Sequence, residues 1–301
     1  MQSAPIELSC VRRLFSRPDR LAVADFIYRE IANRMLERLD LVRLDPAQVL
    51  DAGCGSGADV NLLQHKFPKA QVIGVDGSFA YLQQAVQQQR AASVSVNRLL
   101  AAWLKRRSAV ANHQWICADF AELPLSAQSV DVVWSNLALH WHPQPDQVFA
   151  GWRRLLKVDG LLMFSCFGPD SLKEIRQAFD EVDLTPHTLP FVDMHDFGDM
   201  LVNAGFATPV MDMEIITLTY STVPQLLAEV RALGGLPLDN RRSGLMGKMS
   251  WRKMCDRLES MRQADGKIPL TLEVIYGHAF KPVSKRTAAG ESIIKFDFPK
   301  K

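Results

Sequence analysis

The stretch VLDAGCGSG, residues 49–57, constrains this chain more than any other. Apolar Val49 and Leu50 lead into an aspartate, and glycines then occupy positions 53, 55 and 57 with small residues between them. Such a run reads as a buried strand that stops in a tight, side-chain-poor turn, where a helix begins and backbone N–H groups can approach a ligand closely. Taken alone, three spaced glycines are equally well explained by packing at any strand-to-helix corner. Their meaning depends on the next two strand ends.

Those ends carry acids. Residues 71–75, QVIGV, form a second short strand closed by Asp76-Gly77-Ser78, and the spacing from the first strand fits one β–α–β unit. A carboxylate there is placed to receive both hydroxyls of an adenosyl ribose; its other use is to cap the helix expected over 79–89. A third strand, 114–117, runs into Ala118-Asp119-Phe120, where a carboxylate can accept from an adenine amino group while the aromatic ring covers the base. A fourth, VDVVWS at 130–135, ends at Asn136-Leu137, and a fifth over 161–167 follows a helix at 147–156 and a turn at 157–160. Repeated strand–loop–helix units predict a parallel sheet with helices on both faces and a ligand at the carboxyl ends of the strands. Asp51, Gly53, Cys54, Gly55, Gly57, Asp76, Gly77, Asp119, Phe120, Asn136 and Leu137 all fall there and are the expected cofactor-binding residues. Asp51, just ahead of the first glycine, is placed to help hold a positively charged aminoacyl group through water or the local backbone. GCGSG departs from the G-x-G-x-x-G of nicotinamide folds, and no phosphate-binding lysine follows it, which disfavours a kinase. Dehydrogenase-like and methyltransferase-like readings both remain at this level.

The remaining segments divide the chain into a helical lead-in (1–45), a main domain (46–220 with 267–282), a helical cap (221–266) and a polar tail (283–301). The first twenty residues are polar and basic, with Arg12, Arg13, Arg17 and Arg20. Residues 21–41 have helical periodicity and are expected to pack on the sheet edge rather than form a lid that brings Phe15 or Tyr28 to a ligand. Residues 83–113 hold two helical patterns, the second built on Leu99, Leu100, Trp103 and Leu104 and ended by Lys105-Arg106-Arg107. His140 and His142, two apart and without a third ligand, do not make a metal site. His142 reads as an ordinary loop histidine; His140 is expected to position an acceptor and Trp141 to wall the pocket. A helix over 172–182 is expected to be capped by Asp170 or Ser171, with His187 reaching the pocket mouth. A further helix at 196–204 and strands near 213–218 and 269–280 suggest an antiparallel finish. Between those strands, Arg231, Arg241, Arg242, Lys248, Arg252 and Lys253 make the helical stretch a cap able to bind a carboxylate or phosphate.

Charge excludes little but is not silent. The 35 basic and 33 acidic residues leave a formal charge of +2, which argues for no nucleic-acid partner. Five scattered cysteines argue against a disulfide framework or a zinc site. No apolar run is long enough to span a membrane, and no signal-like stretch opens the chain. A reducing, cytoplasmic setting is the expectation.

VLDAGCGSG, VIGVDGS, CADF and VVWSNLALHW together resemble the successive motifs of class I S-adenosylmethionine-dependent methyltransferases over residues 48–167. SLKEIRQAFDEVDLTPH and KIPLTLEVIYGHAF extend the likeness to the malonyl-acyl-carrier-protein O-methyltransferases of biotin synthesis. The resemblance implies an α/β, Rossmann-like, seven-stranded mixed sheet with helical lid insertions and S-adenosyl-L-methionine as cofactor. It also implies methyl transfer to the free carboxylate of malonyl-acyl carrier protein, giving the ester that primes pimeloyl synthesis. ADFIYREIANRMLERLD is similar instead to the complex I assembly factor that hydroxylates an arginine. That likeness implies modification of a protein arginine side chain, or an assembly factor without chemistry. Carboxylate methylation needs no obligatory base, because the acceptor is already ionised at neutral pH. Positioning by His140, Trp141 or a lid arginine is then the main catalytic demand.

Overall fold

The computed structural model describes residues 5–17, 22–100, 113–238 and 244–283. Five strands, β1 (Gln48–Ala52), β2 (Gln71–Asp76), β3 (Gln114–Cys117), β4 (Val130–Ser135) and β5 (Leu156–Phe167), run parallel. They are followed by β6 (Ala207–Tyr220) and β7 (Ile268–Phe280) in a sheet of order β3-β2-β1-β4-β5-β7-β6, with β7 antiparallel to both its neighbours. The helices are α1 (Leu8–Phe15), α2 (Asp25–Leu39), α3 (Ala58–Lys66), α4 (Phe79–Leu100), α5 (Pro145–Leu155), α6 (Lys173–Phe179), α7 (Met194–Asn203), α8 (Val223–Ala232) and α9 (Lys248–Glu259). The chain proceeds outward from β1 to β2 and β3, then returns to place β4 on the other side of β1. The crevice at that reversal is where open α/β sheets bind ligands.

Alternation along the strands feeds two cores. Val49, Val132, Leu161 and Val274 face α2 and α3, where Ile27, Ile31, Met35, Leu39, Val60 and Leu63 are buried. Leu50, Val133, Leu162 and Ile275 face α5 and α7, where Phe149, Trp152, Phe197 and Leu201 are buried. Because both faces are covered, the strands read as near-continuous apolar runs rather than as a polar–apolar alternation. Each such large side chain contributes about 1.5–3 kcal/mol by burial, so the sheet is rigid where it presents its carboxyl edge.

Several expectations need correction. The basic lead-in contains a helix, α1, with Cys10 and Val11 buried, and its backbone joins the 233–238 segment through Glu7 N–H donating to the Pro237 carbonyl (3.0 Å). Residues 83–100 continue a single helix begun at Phe79; Trp103, Leu104 and the basic triplet lie outside the described residues. The expected turn at 157–160 is an irregularity inside β5, whose Leu156 and Leu161 both still pair with β4. Strand β6 is also longer than its apolar centre, because its edge position tolerates alternate exposed residues.

Neither Asp170 nor Ser171 caps α6; Leu172, at φ 60°, precedes it without a side-chain cap. Ser171 Oγ instead donates to the Glu273 carbonyl (2.9 Å) and accepts from Glu273 N–H (3.0 Å). Beside it, buried Glu174 accepts from Thr271 N–H (2.9 Å) and Thr271 Oγ1 (2.5 Å). These bonds tie the loop after β5 to β7 and, through α6, to the apolar cluster that seats α8 and α9. Glu174→Ala would strand two buried donors on Thr271, at about 1–3 kcal/mol each. We expect it to lose about 2–4 kcal/mol in thermal or urea unfolding, and Glu174→Gln, which keeps one acceptor oxygen, to lose clearly less.

Candidate functional site

A cavity of about 450 Å³ opens at the carboxyl edge between β1, β2, β3 and β4. Its floor is made by the glycine turn. Gly53, Gly55 and Gly57 all have positive φ (85°, 51° and 81°), a region that costs a side chain dearly. A Cβ on Gly53 would sit 2.3 Å from the Ala138 Cβ, whereas one on Gly55 would meet nothing closer than 4.0 Å. Gly53 is thus required by packing, and Gly55 leaves its backbone open to the cavity.

The turn is locked to the second strand. Gly53 and Cys54 N–H groups donate to the Val75 carbonyl (2.8 and 2.9 Å), and Gly55 N–H donates to Asp76 Oδ2 (2.9 Å). Asp76 Oδ1 accepts from Ser78 N–H (2.7 Å), so the carboxylate is held by one bond on each oxygen with lone pairs to spare. Asp119 is held similarly, its Oδ1 accepting from Ala121 N–H (3.0 Å), while Phe120 beside it lines the cavity. Asn136 closes the fourth strand: its Nδ2 donates to the Tyr28 carbonyl (2.9 Å) and its Oδ1 accepts from Ser165 Oγ (2.8 Å). Leu137 follows at φ 50°, with its N–H donating to Ser165 Oγ (3.0 Å). All eleven expected cofactor residues lie on these turns, and all but Gly57 line the cavity. Gly57 is beneath it, where a Cβ would strike the Trp115 ring at 2.4 Å.

Electrostatically the cavity is a well for cations. Asp51 is 1% exposed and its Oδ2 has no hydrogen-bond partner. Burial, then Asp59 and Asp76, push its pKa well above the usual carboxylate range. Asp59, receiving Trp134 Nε1–H at 2.8 Å, is raised to about 6, chiefly by burial, and Asp76 is raised by the same cause. S-Adenosylmethionine carries a sulfonium and an ammonium group, and it fits this donor set: an orphaned buried carboxylate oxygen, two further acids and an open glycine backbone.

The two acceptor-side expectations separate. Trp141 lines the cavity; His140 does not. His140 is buried behind Trp141, with its ring against Trp141, Phe167 and Phe191 (centroids 4.9, 5.1 and 5.8 Å apart) and both ring nitrogens unpaired. Burial lowers its pKa to about 3, so it is a neutral packing residue. The adjacent His142, read as an ordinary loop histidine, does line the cavity, and its Nδ1 accepts from Gln144 N–H (3.1 Å). His187 stacks on Phe179 (3.5 Å) and bonds Asp183 (2.8 Å), away from the cavity. Arg231, Lys248, Arg252 and Lys253 do not line it either; Arg241 and Arg242 lie outside the described residues.

The lead-in supplies what periodicity alone missed. Phe15 of α1 meets Trp141 edge-on (5.2 Å), its carbonyl accepts from Ser78 Oγ (2.7 Å), and Arg12 reaches Asp119 (3.7 Å). Asp25, Tyr28 and Arg29 of α2 line the same space. The helical cap enters through its 233–238 segment, where Gly234, at φ 117°, passes so close to Trp141 that a Cβ would sit 2.4 Å from the ring. The alternating charges and isolated aromatics of residues 8–29 were the available signal.

A methyltransferase-domain family matches residues 50–164. A malonyl-[acyl-carrier protein] O-methyltransferase from Gallionella capsiferriformans is 43% identical over 300 residues, covering 99% of both chains. One of the same name from Laribacter hongkongensis is 44% identical, covering 96% of this chain and 95% of its own. Among solved structures, the YcgJ protein of Bacillus subtilis superposes with a TM-score of 0.57 at 13% identity, covering 85% of this chain and all (100%) of its own, a likeness of fold.

The raised acids generate a stability prediction. A carboxyl group whose folded pKa lies above its unfolded value makes the folded state bind more protons, so its destabilising effect grows as pH rises through that interval. For Asp59 the window runs from its ordinary 3.8 to about 6. Asp59→Asn is therefore expected to raise the stability of the ligand-free protein at neutral pH, by on the order of 1 kcal/mol or more. The gain should shrink toward pH 4 in parallel melts of variant and parent. The difference is the readout because neutral buried histidines act in the opposite sense.

Proposed function

The chain belongs to the malonyl-[acyl-carrier protein] O-methyltransferase family, and we infer that it transfers a methyl group from S-adenosylmethionine to the free carboxylate of malonyl-acyl carrier protein. The resulting methyl ester removes a charge from the starter unit and lets it enter fatty-acid-type elongation toward pimeloyl and biotin. The observation that carries this reading is the end-to-end match. It includes the 24–40 segment that is also similar to an arginine-modifying assembly factor, as well as the cap and final strand. A cytoplasmic setting belongs to the same reading, in keeping with five unpaired cysteines.

When bound, the cofactor supplies an electrophilic methyl group, which an ionised carboxylate takes up without loss of a proton. In our assignment Asp76 receives the ribose hydroxyls with its free lone pairs, while Asp119 and Phe120 receive the adenine. The turn backbone of Gly53, Cys54 and Gly55 and the orphan oxygen of Asp51 take the aminoacyl end. Asn136 and Leu137 set the edge nearest the acceptor. Trp141 walls the acceptor side, and α1 and α2 roof the cavity and keep water from competing. No residue is assigned as a base. Catalysis is positioning and desolvation, for which well-oriented reactants can gain about 7–11 kcal/mol.

Intact-mass measurement of malonyl-acyl carrier protein after incubation with enzyme and S-adenosylmethionine tests the activity directly. A gain of one methyl group on the carrier is expected; an unchanged mass, with cofactor bound, would sink the assignment. Asp76→Asn should weaken cofactor binding roughly tenfold or more, through loss of a charge-assisted acceptor. Calorimetric titration measures that directly, and an unchanged Kd would remove Asp76 from the site.

A further inference from the structure

The cavity lining is acidic, yet two of the groups it must hold are themselves anionic. The cofactor ends in an α-carboxylate, and the acceptor presents a malonyl carboxylate. Asp25, Asp51, Asp59, Asp76 and Asp119 all line the space and would repel both. Either carboxylate needs a cationic partner if it is to enter a partly desolvated site at neutral pH.

The lining supplies few cations. Arg12 is engaged with Asp119 (3.7 Å). His142 is held toward its neutral form by burial. That leaves Arg29. Among the described residues it makes no hydrogen bond or ion pair within contact distance, and its charge is felt by Asp25, one helical turn earlier. Its backbone is well fixed. The preceding carbonyl, Tyr28 O, accepts from Asn136 Nδ2, which ties this turn of α2 to the end of β4. Ile27 and Ile31 on either side are buried in the core. A long cationic side chain on a fixed turn, facing an acid-lined cavity and without a contact partner among the described residues, is arranged to receive an anion from the ligand.

We propose that Arg29 is the carboxylate receptor of this cavity. A guanidinium matches a carboxylate in a two-bond fork that lysine cannot reproduce. The chemistry is the same whichever carboxylate it meets, the cofactor's or the acceptor's. Its acceptor form rests on the function inferred above; its cofactor form does not.

Arg29→Gln and Arg29→Lys, compared with the parent, separate these forms. Arg29 is exposed on α2, so both variants should fold, and circular dichroism checks that. If the partner is the cofactor's carboxylate, Arg29→Gln binds S-adenosylmethionine roughly 10- to 100-fold more weakly. The parent should then prefer S-adenosylmethionine to its decarboxylated analogue, and the variant should bind the two alike. If the partner is the acceptor's carboxylate, cofactor affinity stays unchanged while KM for malonyl-acyl carrier protein rises by a similar factor. Arg29→Lys should recover part of the loss in either case. Unchanged cofactor affinity together with unchanged KM overturns the proposal. Should the parent itself leave malonyl carrier unmethylated, the functional reading fails; the two-cofactor comparison then decides Arg29 alone, with equal discrimination by parent and variant counting against it.

Discussion

Three carboxyl groups, Asp51, Asp59 and Asp76, share one crevice, the first two buried from solvent, and among the described residues none of the three has an ion-pair partner. That arrangement raises the free energy of the ligand-free protein, since each acid must either hold its proton or bear its neighbours' repulsion. It persists because the surrounding sheet is packed on both faces and cannot collapse into the crevice. The bonds from Gly55 and Ser78 to Asp76, and from Trp134 to Asp59, aim the acids without neutralising them. A ligand that brings a sulfonium and an ammonium group to these acids offsets the penalty, so folding energy stored at the site becomes binding preference.

Everything that closes the cavity is attached from outside the parallel sheet. The N-terminal helix is strapped to the 233–238 segment by the Ile6–Leu238 bridge and to the site by Phe15, Arg12 and the Ser78–Phe15 bond. Gly234 lets that segment lie against Trp141. The cap therefore acts on the site through apolar contact, and its described basic side chains face elsewhere. Lys253, for example, donates to the Glu181 carbonyl (2.8 Å). A neutral His140 behind Trp141 serves the same end, holding the indole by ring contact.

How much of this could be read from the chain follows from which interactions are local. The glycine turn, Asp76 and Asp119 are each decided within a few residues, and the structure places all of them on adjoining strand ends. The β-strands were legible because burial on two faces leaves apolar runs bounded by turns. The role of α1 was not. Its helix is only eight residues long and is held by contacts to Pro237, Leu238 and Trp141, more than a hundred residues away. His140 and His142 were weighed the wrong way round for the same reason: neighbouring imidazoles differ here only in which side of a short 3₁₀ turn (Leu139–Trp141) faces the cavity. Arg29, without a contact partner among the described residues, could be recognised only once the acids around it had positions.

The crevice is an acid well shaped for cationic groups. Proton release on cofactor binding measures it most directly, by isothermal titration with S-adenosylmethionine near pH 6 in two buffers of different ionisation enthalpy. A bound cation must lower the raised pKa values of the buried acids, so protons should be released, and affinity should fall as the pH is brought from about 7 to about 5. Binding without proton release, at an affinity constant across that range, would contradict it.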